Sequence, residues 1–260
     1  MKRILITNDD GLYSPGLELL YNAVRDLGEA YVIVPETPKS ASGLGITLHK
    51  PLRINEVKFE DTRAFLINGT PSDIIYMALK TITGPVDLVV SGVNIGDNTS
   101  TQVILSSGTV GAAAQAALEG IPAVAFSVAV VKGEALFSDR KFYESIKKCI
   151  KEIVYEILEN GFPSGIDILN VNFPDSPSYE VKVARPARVR FVNIVEKRID
   201  PRGGVYYWLY GEPVKPEKGT DVYVVLVEKK VALTPISLNF YIIDHRNVIS
   251  FVNRVNERLR

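Results

Sequence analysis

The sequence predicts an α/β protein with a mostly parallel sheet flanked by helices, a projecting β-hairpin and a C-terminal helical tail. Two observations carry this reading. Short apolar runs alternate with helical patterns up to about Phe173. Beyond that point Tyr, Val and Arg dominate and turn residues recur. Strands alternating with helices imply βαβ units, and hence a parallel sheet covered on both faces.

Arg3 to Thr7 is an apolar run that reads as a buried strand. Leu17 to Leu27 carries helical apolar spacing and meets Gly28 as a stop. Ala30 to Val34 is the next strand, ended by Pro35. Thr70-Pro71-Ser72-Asp73 opens a helix: Thr70 can cap, Pro71 fits the first turn and Asp73 can reach back. Asp87 to Ser91 and Ala123 to Ser127 are further strands, separated by an Ala-rich helix from Thr109 to Glu119 that stops at Gly120. Phe142 to Leu158 is amphipathic, with Phe142, Ile146, Cys149, Ile150, Ile153, Val154 and Ile157 at three/four spacing and Asn160-Gly161 at its end. Ile168 to Asn172 adds a strand. Phe191 to Gly211 reads as a hairpin around Asp200-Pro201-Arg202-Gly203-Gly204. Val248 to Arg260 forms a short helix with Ile249, Val252, Val255 and Leu259 on one face, which must pack on this chain or on a neighbouring subunit.

Composition bounds the function. Lys plus Arg and Asp plus Glu each total 30, so the formal net charge is zero, which argues against a nucleic-acid scaffold but not against small anionic substrates. No apolar run approaches the length that spans a bilayer, and no secretory signal precedes Asn8. Cys149 is the single cysteine; it sits on an apolar helical stripe as a core residue, and a chain without disulfides suits the cytoplasm.

Asn8-Asp9-Asp10-Gly11 follows directly on the first strand. Ligands of open parallel sheets bind beyond the carboxyl ends of the strands. Two adjacent carboxylates repel, and a hard divalent cation is the natural offset, although a bare Asp-Asp-Gly also fits a solvated acidic turn. Lys39-Ser40-Ala41-Ser42-Gly43 and Ser91-Gly92-Val93-Asn94-Ile95-Gly96-Asp97-Asn98 also begin where strands finish. The Ser40 hydroxyl and the Asn94 amide oxygen would complete an oxygen-only shell suited to Mg²⁺, Mn²⁺ or Ca²⁺ rather than zinc. Ser106-Ser107-Gly108-Thr109 leads into the Ala-rich helix. It is either a plain N-cap or a phosphate cradle at a helix start, where Gly108 lets the backbone come close. No Walker-type sequence or Gly-x-Gly-x-x-Gly is present.

The segments Ile4-Leu5-Ile6-Thr7-Asn8-Asp9-Asp10-Gly11, Ser40-Ala41-Ser42-Gly43, Asn68-Gly69-Thr70-Pro71-Ser72-Asp73, Ser91-Gly92-Val93-Asn94-Ile95-Gly96 and Ser107-Gly108-Thr109-Val110 occur in the order seen in the SurE family of survival-protein nucleotidases, which the chain resembles over nearly its whole length. Asn170-Val171-Asn172-Phe173-Pro174 and Leu233-Thr234-Pro235 resemble that family's downstream elements. The resemblance implies a Rossmann-like core and a divalent-metal-dependent phosphatase acting on nucleoside 5′- and 3′-monophosphates. It implies one Mg²⁺ or Mn²⁺ per subunit, held by Asp9, Asp10, Ser40 and Asn94, with Asp9 and Asp10 catalytic. Asn98, Ser107, Gly108 and Thr109 match the phosphate-contacting region. It further implies a homodimer or homotetramer, with a catalytic core over 1–185 and the hairpin and C-terminal extension over 186–260 serving oligomerisation. Gly96-Asp97-Asn98 departs from the family's more usual Gly-Pro-Asn, and Ile95 replaces a residue that is often bulkier or more basic, which bears on phosphate contacts and substrate preference.

Two other classes share parts of this pattern. A receiver-like module also places paired acids after its first strand, but needs an Asp ending a central strand and a Lys after a later one. Here those strands run into Ser91-Gly92 and Ser127-Val128-Ala129. A nucleotide-binding module without hydrolysis lacks its glycine fingerprint. Neither His49, in the strand-like Ile46 to His49, nor His245 has zinc-ligand spacing. Trp208, among Tyr206, Tyr207 and Tyr210, fits a hairpin interface better than a base-stacking site.

Overall fold

The computed structural model describes residues 1–130, 138–240 and 246–259. The chain runs β1 (Arg3–Thr7), α1 (Pro15–Val24), β2 (Glu29–Pro35), β3 (Ile54–Phe59), β4 (Thr62–Ile67), α2 (Pro71–Met77), β5 (Leu88–Ile95), α3 (Ser100–Ser106), α4 (Gly108–Leu118), β6 (Ala123–Val128), α5 (Arg140–Asn160), β7 (Ile168–Phe173), β8 (Val181–Val183), β9 (Phe191–Ile199), β10 (Val205–Pro213), α6 (Asp221–Leu226), β11 (Val231–Ile236) and α7 (Arg246–Leu259). Nine strands form one sheet in the order β3-β4-β2-β1-β5-β6-β7-β11-β8. Strands β4, β2, β1, β5, β6 and β7 are mutually parallel, while β3 and β11 run antiparallel to their neighbours β4 and β7. The expected α/β architecture, its mostly parallel sheet and its separate hairpin are all present.

Apolar strands are buried on both faces because helices cover both. Ile4, Ile6, Val90, Val124 and Val171 face α1 and α5, and Leu5, Ile33, Val89 and Ala125 face α2 and α4. The α2 start is the expected capping box: the Asp73 N–H donates to Thr70 Oγ1 (3.2 Å) and the Thr70 N–H to Asp73 Oδ2 (2.8 Å).

Three sequence expectations are corrected. The first helix spans Pro15–Val24 rather than Leu17 to Leu27, because Ser14 caps it and Pro15 occupies its first position. Gly28 is required for close packing rather than as a helix stop, since a Cβ there would lie 2.4 Å from the Lys2 carbonyl oxygen. Ile46 to His49 joins no ladder, and His49 is exposed. His245 and Arg260 lie outside the described residues.

Of residues 186–260, Val231–Ile236 runs within the main sheet, while β9 and β10 pair only with each other. On α7, Ile249, Val252 and Leu259 of the expected apolar stripe are exposed. Among the described residues, no helix is long and apolar enough to cross a membrane.

Cys149 is buried in α5, and burial pushes its thiol up to about 11. Only about one molecule in a thousand then carries a thiolate at pH 8. Iodoacetamide is expected to leave Cys149 unmodified in the native protein for hours and to alkylate it fully in guanidinium, as read by mass spectrometry. Rapid native alkylation would contradict its place in the core.

Candidate functional site

Strand order reverses between β1 and β5: from β1 the sheet extends through β2 and β4 to one side and through β5, β6 and β7 to the other. The carboxyl ends of β1 and β5 therefore flank a topological switch point, the place where open α/β sheets bind ligands. Asp9 and Asp10 follow β1, and Asn94 lies at the end of β5.

Asn8 sets the turn, accepting the Gly11 N–H (3.1 Å) and donating to the Gly11 carbonyl (2.9 Å). Asp9 is buried, and Thr109 Oγ1 donates to its Oδ1 at 2.6 Å. Burial, helped by the neighbouring Asp10 charge and opposed by hydrogen bonds from the Thr109 hydroxyl and N–H, pushes the Asp9 carboxyl up to about 6. Burial also raises Asp10, opposed by the Ile95 N–H that its carboxylate accepts. Neither acid forms an ion pair among the described residues.

The other loops converge on this pair. The Lys39 N–H donates to the Asp9 carbonyl (2.7 Å), which ties the Ser40 loop to the acid turn, and the Ser40 side chain is exposed. Asn94 Nδ2 donates to the Gly96 carbonyl (2.8 Å), so the amide nitrogen is committed and Oδ1 is the atom left for a ligand. Helix α4 arrives at backbone range: a Cβ on Gly108 would lie 2.7 Å from Ser42 Oγ and 2.9 Å from Asp9 Oδ2, and one on Gly111 would lie 2.0 Å from the Gly43 carbonyl oxygen.

The donor set fits a hard divalent cation. Asp10 Oδ2 is buried with no hydrogen-bond partner among the described residues, and two partly desolvated carboxylates stand side by side with no basic side chain to offset them. No three His, Cys, Asp or Glu side chains cluster among the described residues. A cation here would complete its shell with neutral oxygens such as Ser40 and Asn94 and with water.

The phosphate-contacting candidates divide. Ser107 is an N-cap, its Oγ accepting the Val110 N–H at 3.2 Å, and Thr109 is engaged with Asp9. Gly108 carries the amide at the helix start that is committed to neither. Asn98 is buried and donates from Nδ2 to Ser127 Oγ (2.8 Å). Its backbone is gripped from β7: Asn172 Oδ1 accepts the Asn98 N–H (2.8 Å), and Asn170 Nδ2 donates to the Asn98 carbonyl (2.9 Å). Ser42, Ser127, Asn170 and Asn172 join these candidates only in the folded chain. The signal was there in β7, because two asparagines on one face of an otherwise apolar strand need partners. Asn172→Ala removes the acceptor of a buried N–H, so a loss of about 1–3 kcal/mol in stability is expected. Displacement of the 96–98 loop should also lower kcat/KM at least about tenfold. Denaturant melts and steady-state kinetics check both; wild-type values would show that this grip is dispensable.

The family model described as Survival protein SurE matches residues 4–193. A 5′-nucleotidase SurE from Hyperthermus butylicus is 58% identical over 240 residues, covering 91% of this chain and 85% of that protein. Another from Thermofilum pendens is 53% identical over 258 residues, covering 99% of each. Among solved structures, the SurE protein from Aquifex aeolicus superposes with a TM-score of 0.80 at 31% identity, covering 96% of this chain and 99% of that one.

Proposed function

Because the chain belongs to the SurE family of survival proteins, we propose that it is a divalent-metal-dependent phosphatase that hydrolyses nucleoside 5′-monophosphates, and also 3′-monophosphates, to nucleoside and phosphate. The observation that carries the reading is the Asp9–Asp10 pair at the switch point, Asp9 buried and Asp10 partly so, uncompensated by any basic side chain among the described residues.

Asp9, Asp10, Ser40 and Asn94 would hold one Mg²⁺ or Mn²⁺ per subunit, which would supply neutralisation of phosphate charge and a lowered pKa for water. Asp9, fixed by Thr109, takes a proton from the attacking water. The water oxygen bonds to phosphorus as the phosphorus–oxygen bond to the ribose breaks, and the nucleoside leaves with a proton from solvent. The Gly108 N–H and the start of α4 stabilise charge that develops on the phosphoryl oxygens. Ser107 caps that helix start, and Asn98, held by Ser127, Asn170 and Asn172, contacts the phosphate.

The hairpin β9–β10 and helix α7 carry exposed Tyr207, Trp208, Leu209, Phe251 and Val252. Their cover is a second copy of the chain, giving a dimer or tetramer in which residues 186–260 supply the contacts and 1–185 the chemistry. The setting is the cytoplasm. The activity is tested with a panel of phosphomonoesters assayed in Mg²⁺, in Mn²⁺ and in chelator. Cation-dependent release of phosphate from AMP or GMP is expected; nucleotide binding without release would favour a regulatory module.

A further inference from the structure

The loop that carries Asn98 and the start of α3 are laced to the root of the β9–β10 hairpin. The Thr101 N–H donates to the Ala187 carbonyl (2.7 Å) and the Gln102 N–H to the Arg188 carbonyl (3.2 Å). The Gln102 side chain completes the lacing. Its Oε1 accepts the N–H groups of Arg190 and Phe191, both at 3.0 Å, and its Nε2 donates to the Phe191 carbonyl at 3.1 Å. Strands β9 and β10 pair only with each other, so the course of Arg190 is set by these contacts and not by the main sheet.

The lacing delivers a cation to the loop. Arg190 Nε donates to Asp97 Oδ1 at 3.4 Å, and the guanidinium lies 4.7 Å from the centroid of the Phe191 ring. The Arg190 and Asp97 side chains are only 10% and 13% exposed, whereas every other ion pair among the described residues has at least one well-exposed partner. A buried pair of this kind adds little stability over an apolar replacement, because desolvation of both charges offsets their attraction. Its consequence is local. Asp97 is the residue by which this loop departs from the more usual Gly-Pro-Asn, and proline would bring no charge. Asp97 directly precedes Asn98, and a carboxylate there repels a phosphate held by Asn98. Asp221, the other acid beneath the loop, accepts the N–H groups of Ser100 (2.8 Å), Ala187 (2.9 Å) and Val222 (2.8 Å). Asp97 accepts the Thr99 hydroxyl, and among the described residues its one ion-pair partner is Arg190.

We infer that Arg190 is a positioning residue for phosphate binding. It acts through Asp97 and Asn98: it cancels the carboxylate charge beside Asn98 and pins the 96–98 loop to the hairpin root. The inference rests on the reading of Asn98 as a phosphate contact and deepens it. The cancelled charge acts alike on bound substrate and on the transition state, so it enters through KM and not through kcat.

The test measures calorimetric affinity for inorganic phosphate in Mn²⁺, and kcat and KM for AMP, at low ionic strength where charge effects are least screened. It compares wild type, Arg190→Met, Arg190→Lys, Asp97→Asn and the double variant Arg190→Met/Asp97→Asn, each shown by thermal melts to be folded. Arg190→Met leaves Asp97 unpaired and is expected to weaken phosphate and raise KM about tenfold, with kcat nearly unchanged. Arg190→Lys keeps the charge and should stay within about threefold of wild type. Asp97→Asn keeps an oxygen for Arg190 but removes the repulsion, and should tighten phosphate about threefold. The double variant should return to within about threefold of wild type, since neither charge remains. A purely structural contact would make Asp97→Asn harmful and the double variant no better than Arg190→Met. Either of those results, or phosphate affinity unchanged in Arg190→Met or in Asp97→Asn, would overturn the assignment. If Arg190→Met does not fold, the sign of the change in Asp97→Asn decides. A wild type that hydrolyses no AMP sinks the nucleotidase reading alone, and the phosphate affinities then decide the role of Arg190. A wild type that binds no phosphate overturns that role.

Discussion

Asp9→Asn is expected to lower kcat/KM by about a thousandfold or more, the scale of losing a group that acts on developing charge, while the metal-free protein melts no lower than wild type. The stability half follows from the sign of the Asp9 shift. Burial raises this carboxyl to about 6, so the stability tied to its neutral form is complete below the ordinary carboxylate range and is lost as pH rises through about 6. At pH 7 to 8 the ionised group is therefore a burden on the metal-free fold. Asn removes that charge and keeps an oxygen for the Thr109 hydroxyl, now 2.6 Å from Asp9 Oδ1. Function and stability should thus move independently. Kinetics and thermal melts in chelator check the pair, and turnover within tenfold of wild type would contradict a catalytic Asp9.

Gly111→Ala is expected to destabilise the protein by about 1–3 kcal/mol and to cost about a hundredfold in kcat/KM. In an open helix the same change stabilises by about 1 kcal/mol, because alanine loses less backbone freedom. Here the new methyl would sit 2.0 Å from the Gly43 carbonyl oxygen and 2.7 Å from its carbon, and both are backbone atoms. Either α4 withdraws from the Ser40 loop or the loop moves. Each response separates Gly108 and Thr109 from Asp9. A stabilised, fully active variant would show that α4 and this loop are not packed as described.

The contrast between those two sites reflects what a sequence can carry. Strands β1, β2, β5, β6 and β7 were legible because burial on both faces makes their apolar runs continuous, and the α2 start because its signal is local. Hairpin β3–β4 was not, since β3 is an edge strand whose Asn55, Glu56 and Lys58 interrupt the pattern. Pro235 argues against a central strand, yet it sits in β11 beyond Leu233, where pairing with β8 has ended. The short helix α3 has no side-chain cap of its own. The Ser100 N–H at its start donates to Asp221 Oδ2 at 2.8 Å, a partner far away in sequence. Within the site, the loops around Asp9, Ser40 and Asn94 could be read from their positions after strands. The asparagine grip of β7 on Asn98, and the commitment of Thr109 to Asp9, depend on how distant strands and helices are laid together.

Asp9, buried, and its partly buried neighbour Asp10 tolerate each other by sharing a cation. Manganese titration of the chelator-stripped protein tests this most directly, with free Mn²⁺ followed by electron paramagnetic resonance. One tightly bound ion per wild-type chain is the predicted result, lost in a folded Asp9→Ala/Asp10→Ala variant. Equal stoichiometry and affinity in the two proteins, or no tight site in the wild type, would contradict the account.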